Sequence, residues 1–380
     1  VSTFRFHKDD VEYLRELMPD AEEGFFEWLP SLDCSKCRIY AQEEGSIVFP
    51  KEPLLKVEGP LALCQLLETA LLNLINFPSL VATNAARMRL ACNNAGKTNC
   101  TLLEFGLRRA QGPDGGFSAS KYSYLGGFDG TSNVLAGKLT GINVKGTHAH
   151  SFVMSYSSLI DLQTRDIVDK DGNSSPFVDN VFEALKKLGF AQTHEGEMAA
   201  FIAYAQSFPK GVLCLVDTYD TIKSGIPNFM AIALALHEIG YKAIGIRLDS
   251  GDLAYLSKVV RGMFRAADKK LGIDVFSKMM IVASNDINED VLNELGRQGH
   301  EIDCFGIGTH LVTCQAQPAL GCVYKLVEIE GKPRIKLSQE REKLVIPCSK
   351  LVYRFFGKDG YPLIDVIQRA TEPAPQIGDR

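Results

Sequence analysis

One pattern recurs along the middle of this chain: a short apolar run rich in β-formers stops abruptly at a polar or glycine residue, and a helix-like stretch follows. The clearest instances are Val-Leu-Cys-Leu-Val-Asp217, Ala-Ile-Gly-Ile-Arg-Leu-Asp249, Met-Met-Ile-Val-Ala-Ser284 and Asp-Cys-Phe-Gly-Ile-Gly-Thr309. Thr-Leu-Leu-Glu-Phe-Gly before Leu107 and Ile-Asn-Val-Lys-Gly-Thr before His148 repeat it earlier. Continuous apolar strands alternating with amphipathic helices make a parallel sheet covered on both faces. Asp217, Asp249 and Ser284 stand 32 and 35 residues apart, close to one strand–helix unit each. Polar residues gathered where strands end are what a (β/α) barrel requires, because its active site lies at the C-terminal rim. The pattern therefore predicts an α/β fold with a barrel over residues 96–315. The helix after Asp249 has Ser250 or Asp252 as its cap and Gly272 as its stop.

At 380 residues the chain exceeds one ordinary core, so an accessory domain is expected beside the barrel. Residues 1–95 supply part of it. Two short helices fall within the first thirty residues, followed by strand-like pieces at 38–41, 47–49 and 53–59 in a small antiparallel sheet. Two helices, Leu61–Phe77 and Ser79–Asn93, then lead into the barrel. The segment from Ser155 to Glu195 reads as a surface insertion. After Thr309 the pattern stops, and 316–380 is expected to return to the accessory sheet through a hairpin about Glu330-Gly331 and a strand within 345–356. Residues 370–379 look irregular.

A net charge of −5 argues against a chain whose task is gripping nucleic acid. The apolar run from Pro60 to Phe77 is broken by Gln65, Glu68, Asn73 and Asn76, which reads as a buried helix and not a membrane span. No secretory signal opens the chain, and its start at Val1 without methionine reads as that of a fragment. Ten cysteines at irregular spacings, several inside apolar strands, point to a reducing compartment, the cytosol. Cys34 and Cys37 are the one close pair, without the second pair a structural zinc site wants.

The chemistry concentrates between Glu104 and Val153, where Arg108, Arg109, two glycine turns and His148-Ala-His150 share fifty residues. Arginines grip carboxylate or phosphate with a planar fork. The His-x-His step suits either a metal, as in zinc-dependent barrel hydrolases, or one reactive histidine with a packing neighbour; ending a strand, both rings would point the same way. Gly306, Gly308 and Thr309 offer backbone N–H groups to a phosphate, or else form a tight turn. Arg247 and Asp249 share a strand face, as an ion pair or as two ends of one site. Asp217 could hold ribose hydroxyls, a hydrated Mg²⁺ or a developing positive charge.

Taken in order, EFGLRRAQGPDGG, YLGGFDGTSN, GTHAHSF, DTYDTIKSGIPNF, RLDSGDL and GIGT resemble the nicotinate phosphoribosyltransferase family, from about Cys34 onward. The resemblance implies an irregular (β/α) barrel of the type II phosphoribosyltransferase kind with a smaller, β-rich accessory α/β domain. It implies synthesis of nicotinate mononucleotide from nicotinate and 5-phosphoribosyl 1-pyrophosphate (PRPP), with ATP as co-substrate and Mg²⁺ or Mn²⁺ as cofactor. By the same resemblance His150 is the phosphorylated histidine, Thr147, Arg247 and Arg108 are nicotinate contacts, and Thr309, with Gly306, Gly308 and Ser284, serves PRPP. Asp217 and Asp249 are acidic residues of the site, and which of them holds the metal stays open. A homodimer with shared sites, without nucleic acid or membrane partners, is also implied. Family members begin further upstream with an aromatic element that serves the neighbouring subunit's pocket; nothing like it precedes His7 here, so a molecule starting at Val1 would lack one pocket wall. The alternatives are a nicotinamide- or quinolinate-specific transferase, the zinc hydrolase built on His148 and His150, and a silent PRPP-binding member.

Overall fold

Acidic residues open the first helix as they should: Asp9 and Asp10 lie in the first turn of α1 (Lys8–Leu17), and the Asp10 carboxylate accepts the His7 N–H at 2.8 Å. The computed structural model describes residues 1–94, 100–339 and 344–376. The chain forms two compact units, Val1–Phe77 with Leu320–Arg380, and Pro78–Ala319.

In the first unit, α1 and α2 (Glu23–Trp28) close over a cluster of Val11, Phe26, Leu29, Leu32 and Leu63. β1 (Arg38–Ala41) pairs antiparallel with β2 (Leu55–Glu58). The strand expected at 47–49 does not form, and Ile47 and Phe49 are exposed. The two helices expected over 61–93 are one, α3 (Leu61–Asn94), with Pro78 inside it. Proline deletes one backbone bond there without ending the helix. Its apolar first half is buried along one stripe only: Leu63, Leu67 and Leu71 are buried, while Leu61, Leu66 and Leu74 are exposed. Among the described residues α3 is the one helix long and apolar enough to cross a membrane.

The second unit begins within α3, where Val81, Ala85, Met88 and Cys92 are buried at helical spacing. Its strands and helices then alternate: β3 (Thr101–Glu104), α4 (Gly112–Leu125), β4 (Gly130–Thr131), α5 (Val134–Thr140), α6 (His150–Met154), the hairpin β5 (Ile167–Val168) and β6 (Ser174–Ser175), α7 (Phe177–Leu188) and α8 (Glu195–Ser207). There follow β7 (Leu213–Leu215), a π-turn at Thr221–Gly225, α9 (Ile226–Glu238), β8 (Gly245–Leu248), α10 (Leu253–Leu271), β9 (Met280–Ala283), α11 (Glu289–Gln298), β10 (Cys304–Ile307) and α12 (Thr309–Val312). Six strands make one all-parallel sheet in the order β4-β3-β10-β9-β8-β7. Asp252 caps α10 by accepting the Tyr255 N–H at 2.9 Å, and Gly272, at φ +68°, stops it as the sequence anticipates.

Residues 142–147, expected as a strand, make only an isolated bridge from Val144 to Thr131. β4 is two residues long and offers little ladder: Thr131 donates to the Asn143 carbonyl at 3.0 Å and accepts from Lys145 at 2.9 Å. At the opposite sheet edge the Leu215 N–H of β7 donates to His148 Nε2 at 3.2 Å. An imidazole thus stands in for a strand carbonyl, and the segment spans the two sheet edges as an irregular stave of the barrel.

The insertion expected from Ser155 to Glu195 is only partly superficial. Its second half is α7, whose Phe177, Val178, Val181, Ala184 and Leu188 make a buried stripe at helical spacing.

The chain's last part carries β11 (Glu328–Ile329) and β12 (Lys332–Pro333), joined through Glu330 and Gly331 at φ +50° and +72°. β13 (Lys350–Phe356) then pairs with β14 (Pro362–Arg369), a strand the sequence reading did not anticipate. The return is not to the β1–β2 sheet, because each pair is a separate two-stranded sheet. Residues 370–376 form neither helix nor strand, while 377–379, and 96–99 where the barrel was expected to begin, lie outside the described residues.

Candidate active site

Parallel strands bring their C-terminal ends to one rim, and the polar residues that end β7, β8 and β9 meet there directly. Asp217, two residues past β7, accepts the Asp249 N–H at 3.2 Å and the Ser250 hydroxyl at 2.5 Å through Oδ2. Asp249, just past β8, accepts the Ser284 hydroxyl with Oδ1 and lies 3.6 Å from His150 Nε2 with Oδ2. His150 Nδ1 is 3.2 Å from Thr218 Oγ1. One continuous chain of contacts therefore links Ser284, Asp249, Asp217, His150 and Thr218.

The two histidines do not face the same way, and the metal-binding His-x-His reading fails for that reason. Ala149 is the cap before α6, so His150 stands on the first helical residue at the rim. His148 instead packs among Phe152, Phe201 and Tyr204, with Nε2 occupied by the Leu215 N–H. Burial holds its pKa down at about 4, with Arg247 and His150 adding to the effect, so the ring is neutral at ordinary pH. Among the described residues no three His, Cys, Asp or Glu side chains could enclose a metal ion.

Arg247 is not ion-paired to Asp249. Its Nη2 donates to the His148 carbonyl at 3.3 Å, and the same carbonyl accepts the Thr147 hydroxyl at 3.0 Å. Burial lowers the Arg247 pKa, Asp249 and Asp217 oppose that, and Arg108 on the same rim adds to it. Three polar atoms here are buried without a protein partner: His148 Nδ1, turned into the aromatic packing, and Arg247 Nε and Asp217 Oδ1. An orphan donor and an orphan acceptor in one basin leave places for an anion and for a cation or hydroxyl.

β10 and β3 supply the neighbouring part of the rim. Arg108 lies in the 3₁₀ turn Leu107–Arg109 and is exposed. Gly306 needs to be glycine for packing, because a Cβ would overlap the Phe105 ring. The phosphate reading thus passes to Gly308 and Thr309, at the start of the short α12. Among the described residues Arg108, Gly306, Gly308 and Thr309 make no hydrogen bond with the His150–Asp249 set, although their strands adjoin.

Sequence reasoning missed Thr218, Ser250 and Glu104. The DTYD motif and the Ser after Asp249 were the available signals for the first two. Glu104, fully buried at the end of β3, accepts from Ser120 at 2.9 Å, from Thr131 at 2.5 Å and from the Gly106 N–H, and so fixes the turn that carries Arg108. Past β9, Asn285 and Asp286 take φ +105° and +47°, a strained turn directly after Ser284.

The described nicotinate phosphoribosyltransferase (NAPRTase) N-terminal domain matches residues 1–76, and the nicotinate phosphoribosyltransferase (NAPRTase) family matches residues 237–357. The chain is 56% identical to nicotinate phosphoribosyltransferase of Dictyostelium discoideum, over all of this chain and 65% of that protein. It is 55% identical to nicotinate phosphoribosyltransferase 1 of Arabidopsis thaliana, over all of this chain and 69% of that one. Against the Homo sapiens nicotinate phosphoribosyltransferase the identity is 49%, covering 99% and 71%. The chain thus spans about two thirds of the length of these relatives. The crystal structure of human nicotinic acid phosphoribosyltransferase superposes with a TM-score of 0.86 at 46% identity, over 98% of this chain and 72% of that one. Nicotinate-nucleotide pyrophosphorylase from Pyrococcus furiosus shares the fold, with a TM-score of 0.56 at 21% identity over 89% of this chain and 70% of that one.

Proposed function

This chain belongs to the nicotinate phosphoribosyltransferase family, and from that membership we propose that it joins nicotinate to PRPP, yielding nicotinate mononucleotide and pyrophosphate, with ATP coupled through phosphorylation of His150. The observation that carries this reading is the pair of orphan buried atoms, Arg247 Nε and Asp217 Oδ1, at the rim that also holds His150.

Glycosyl transfer to a pyridine nitrogen builds positive charge at the sugar carbon and negative charge on departing pyrophosphate. Asp217 and Asp249 offset the first charge; Arg108 and the N–H groups at Gly308 and Thr309 offset the second. Arg247, held by the His148 carbonyl with Nε free, is set to take the nicotinate carboxylate in a fork, beside Thr147. That fork favours the acid over nicotinamide, whose amide would leave a buried cation unpaired. Mg²⁺ or Mn²⁺ commonly binds one or two carboxylates plus substrate phosphates, and Asp217, with Asp249 beside it, fits that donor set; the ion would neutralise pyrophosphate. His150 is positioned to take the γ-phosphoryl group of ATP: Thr218 orients the ring, and Asp249 faces the positive charge that grows on it.

Exposed Val134, Leu135 and Leu139 on α5 suit a homodimer contact. Buried thiols at Cys214 and Cys304, the latter with its pKa pushed up to about 12 by burial, suit a reducing compartment such as the cytosol. The test is His150→Ala. It is expected to abolish stimulation by ATP while leaving slow transfer from PRPP; undiminished stimulation refutes the role of His150.

A further inference from the structure

Glu197 lies on α8 behind the rim, with none of its surface exposed. Among the described residues no cationic nitrogen pairs with it. Its Oε2 accepts from the Ser224 hydroxyl at 2.5 Å and from Asn228 Nδ2 at 3.1 Å. Its Oε1 and the Asn228 Oδ1 are both buried without partners. Ser224 accepts the His194 N–H at 2.9 Å, and the His194 ring stacks on Tyr219 at 3.7 Å and 15°. A buried acid thus ties together α8, α9 and the π-turn.

That turn matters because of what is attached to it. π-turns are rare and cluster at functional sites. This one is capped by Asp220, which accepts the N–H groups of Ile222 and Lys223 at 3.1 and 2.8 Å. At its other end Gly225 sits so close to the Val216 carbonyl that any side chain would overlap it. The loop between, 217–220, is therefore clamped at both ends, and it presents Thr218 to His150.

We propose that Glu197 is a positioning residue: through Ser224 and Asn228 it fixes the π-turn and so holds Thr218 against His150. What the role requires of Glu197 is an acceptor, since both clamp bonds are donated to its Oε2. Burial raises its pKa to about 7, the bonds from Ser224 and Asn228 act against that, and the nearby Asp217 and Asp220 add to the rise. The other groups around it are Cys214 on β7, His194 at the cap of α8 and the uncharged Asn228 on α9. Without the carboxyl the Ser224 hydroxyl would lose its buried acceptor, and the clamp would loosen. Glu197→Gln keeps an acceptor for Ser224 and cannot titrate; Glu197→Ala removes the acceptor.

The catalytic readout rests on His150 being phosphorylated, so the primary readout is chosen to need no substrate. Carbethoxylation of His150 by diethyl pyrocarbonate in the full chain, followed by peptide mass spectrometry, measures how tightly the ring is held. Wild type and Glu197→Gln both offer Ser224 an acceptor and should react at rates within about twofold of each other at about pH 6.5 and at about pH 8. Glu197→Ala should react at least about threefold faster at both values, and its ATP-dependent phosphorylation should fall about tenfold while the KM for PRPP in ATP-independent transfer stays within about twofold. Equal rates in all three proteins at both pH values would overturn the proposal. A wild type that never becomes phosphorylated would refute the functional reading alone, since the modification rates still decide the role of Glu197.

Discussion

Replacing His148 by phenylalanine removes the unusual bond that joins the sheet edges, together with the ring's buried, unpartnered Nδ1. Phenylalanine keeps an aromatic ring among Phe152, Phe201 and Tyr204 but offers no acceptor to the Leu215 N–H. A buried donor left unsatisfied costs about 1–3 kcal/mol, so His148→Phe should lose about 2 kcal/mol at pH 7.5. In a unit of this size that corresponds to roughly 4–8 °C in Tm. The same ring also titrates. Its pKa is held at about 4 in the fold, below the ordinary 6.5, so the unfolded chain binds the proton more tightly. Stability from this group is full above pH 6.5 and is lost as pH falls toward 4, by up to about 3 kcal/mol in wild type, whereas His148→Phe has nothing to lose. Urea unfolding followed by circular dichroism at pH 7.5 and at pH 4.5 should show the variant about 2 kcal/mol weaker at the first pH and equal or stronger at the second. An unchanged difference at the two pH values, or no cost at pH 7.5, refutes the reasoning.

Arg247→Lys keeps the charge but loses the fork, and should raise the KM for nicotinate about 30- to 150-fold, or about 2–3 kcal/mol, with a smaller change for PRPP. Steady-state kinetics with each substrate varied in turn checks this. Gly306→Ala forces a Cβ into the Phe105 ring and should cost about 1–3 kcal/mol in thermal stability. If Gly306 serves packing alone, the KM for PRPP at a temperature where the variant is folded should be unchanged.

What the sequence disclosed was set by how local the cause is. Strands β7 to β10 are continuous apolar runs with a polar end, so their type, order and parallel sense followed from periodicity, as did the Asp252 cap and Gly272 stop of α10. The segment 142–148 could not be read that way, because what holds it is a side chain on one side and a two-residue strand on the other. The two histidines were misjudged for the same reason: alternation fixes direction only in a real strand, and Ala149 is a helix cap instead. Pro78 looked like a break because local rules favour one, whereas α3 runs through it. Residues such as Glu104 and Glu197 were invisible, since a lone acid in an apolar context becomes informative only when its burial and partners are known. That Arg247, Asp217, Asp249 and His150 share one rim was legible because the first three stand at or just past strand ends and His150 opens a helix beside them, within motifs already similar to a known family.

The central claim is that the rim holding His150, Asp249, Asp217 and Arg247 is one site for a pyridine acid and a phosphorylated sugar. Formation of nicotinate mononucleotide by this chain from nicotinate and PRPP, measured by chromatography with and without ATP and with nicotinamide and quinolinate as competitors, tests it most directly. The account predicts nicotinate mononucleotide as the product, a rate increased by ATP, and little loss to either competitor. Binding of PRPP without any product, or a preference for nicotinamide or quinolinate, would contradict it.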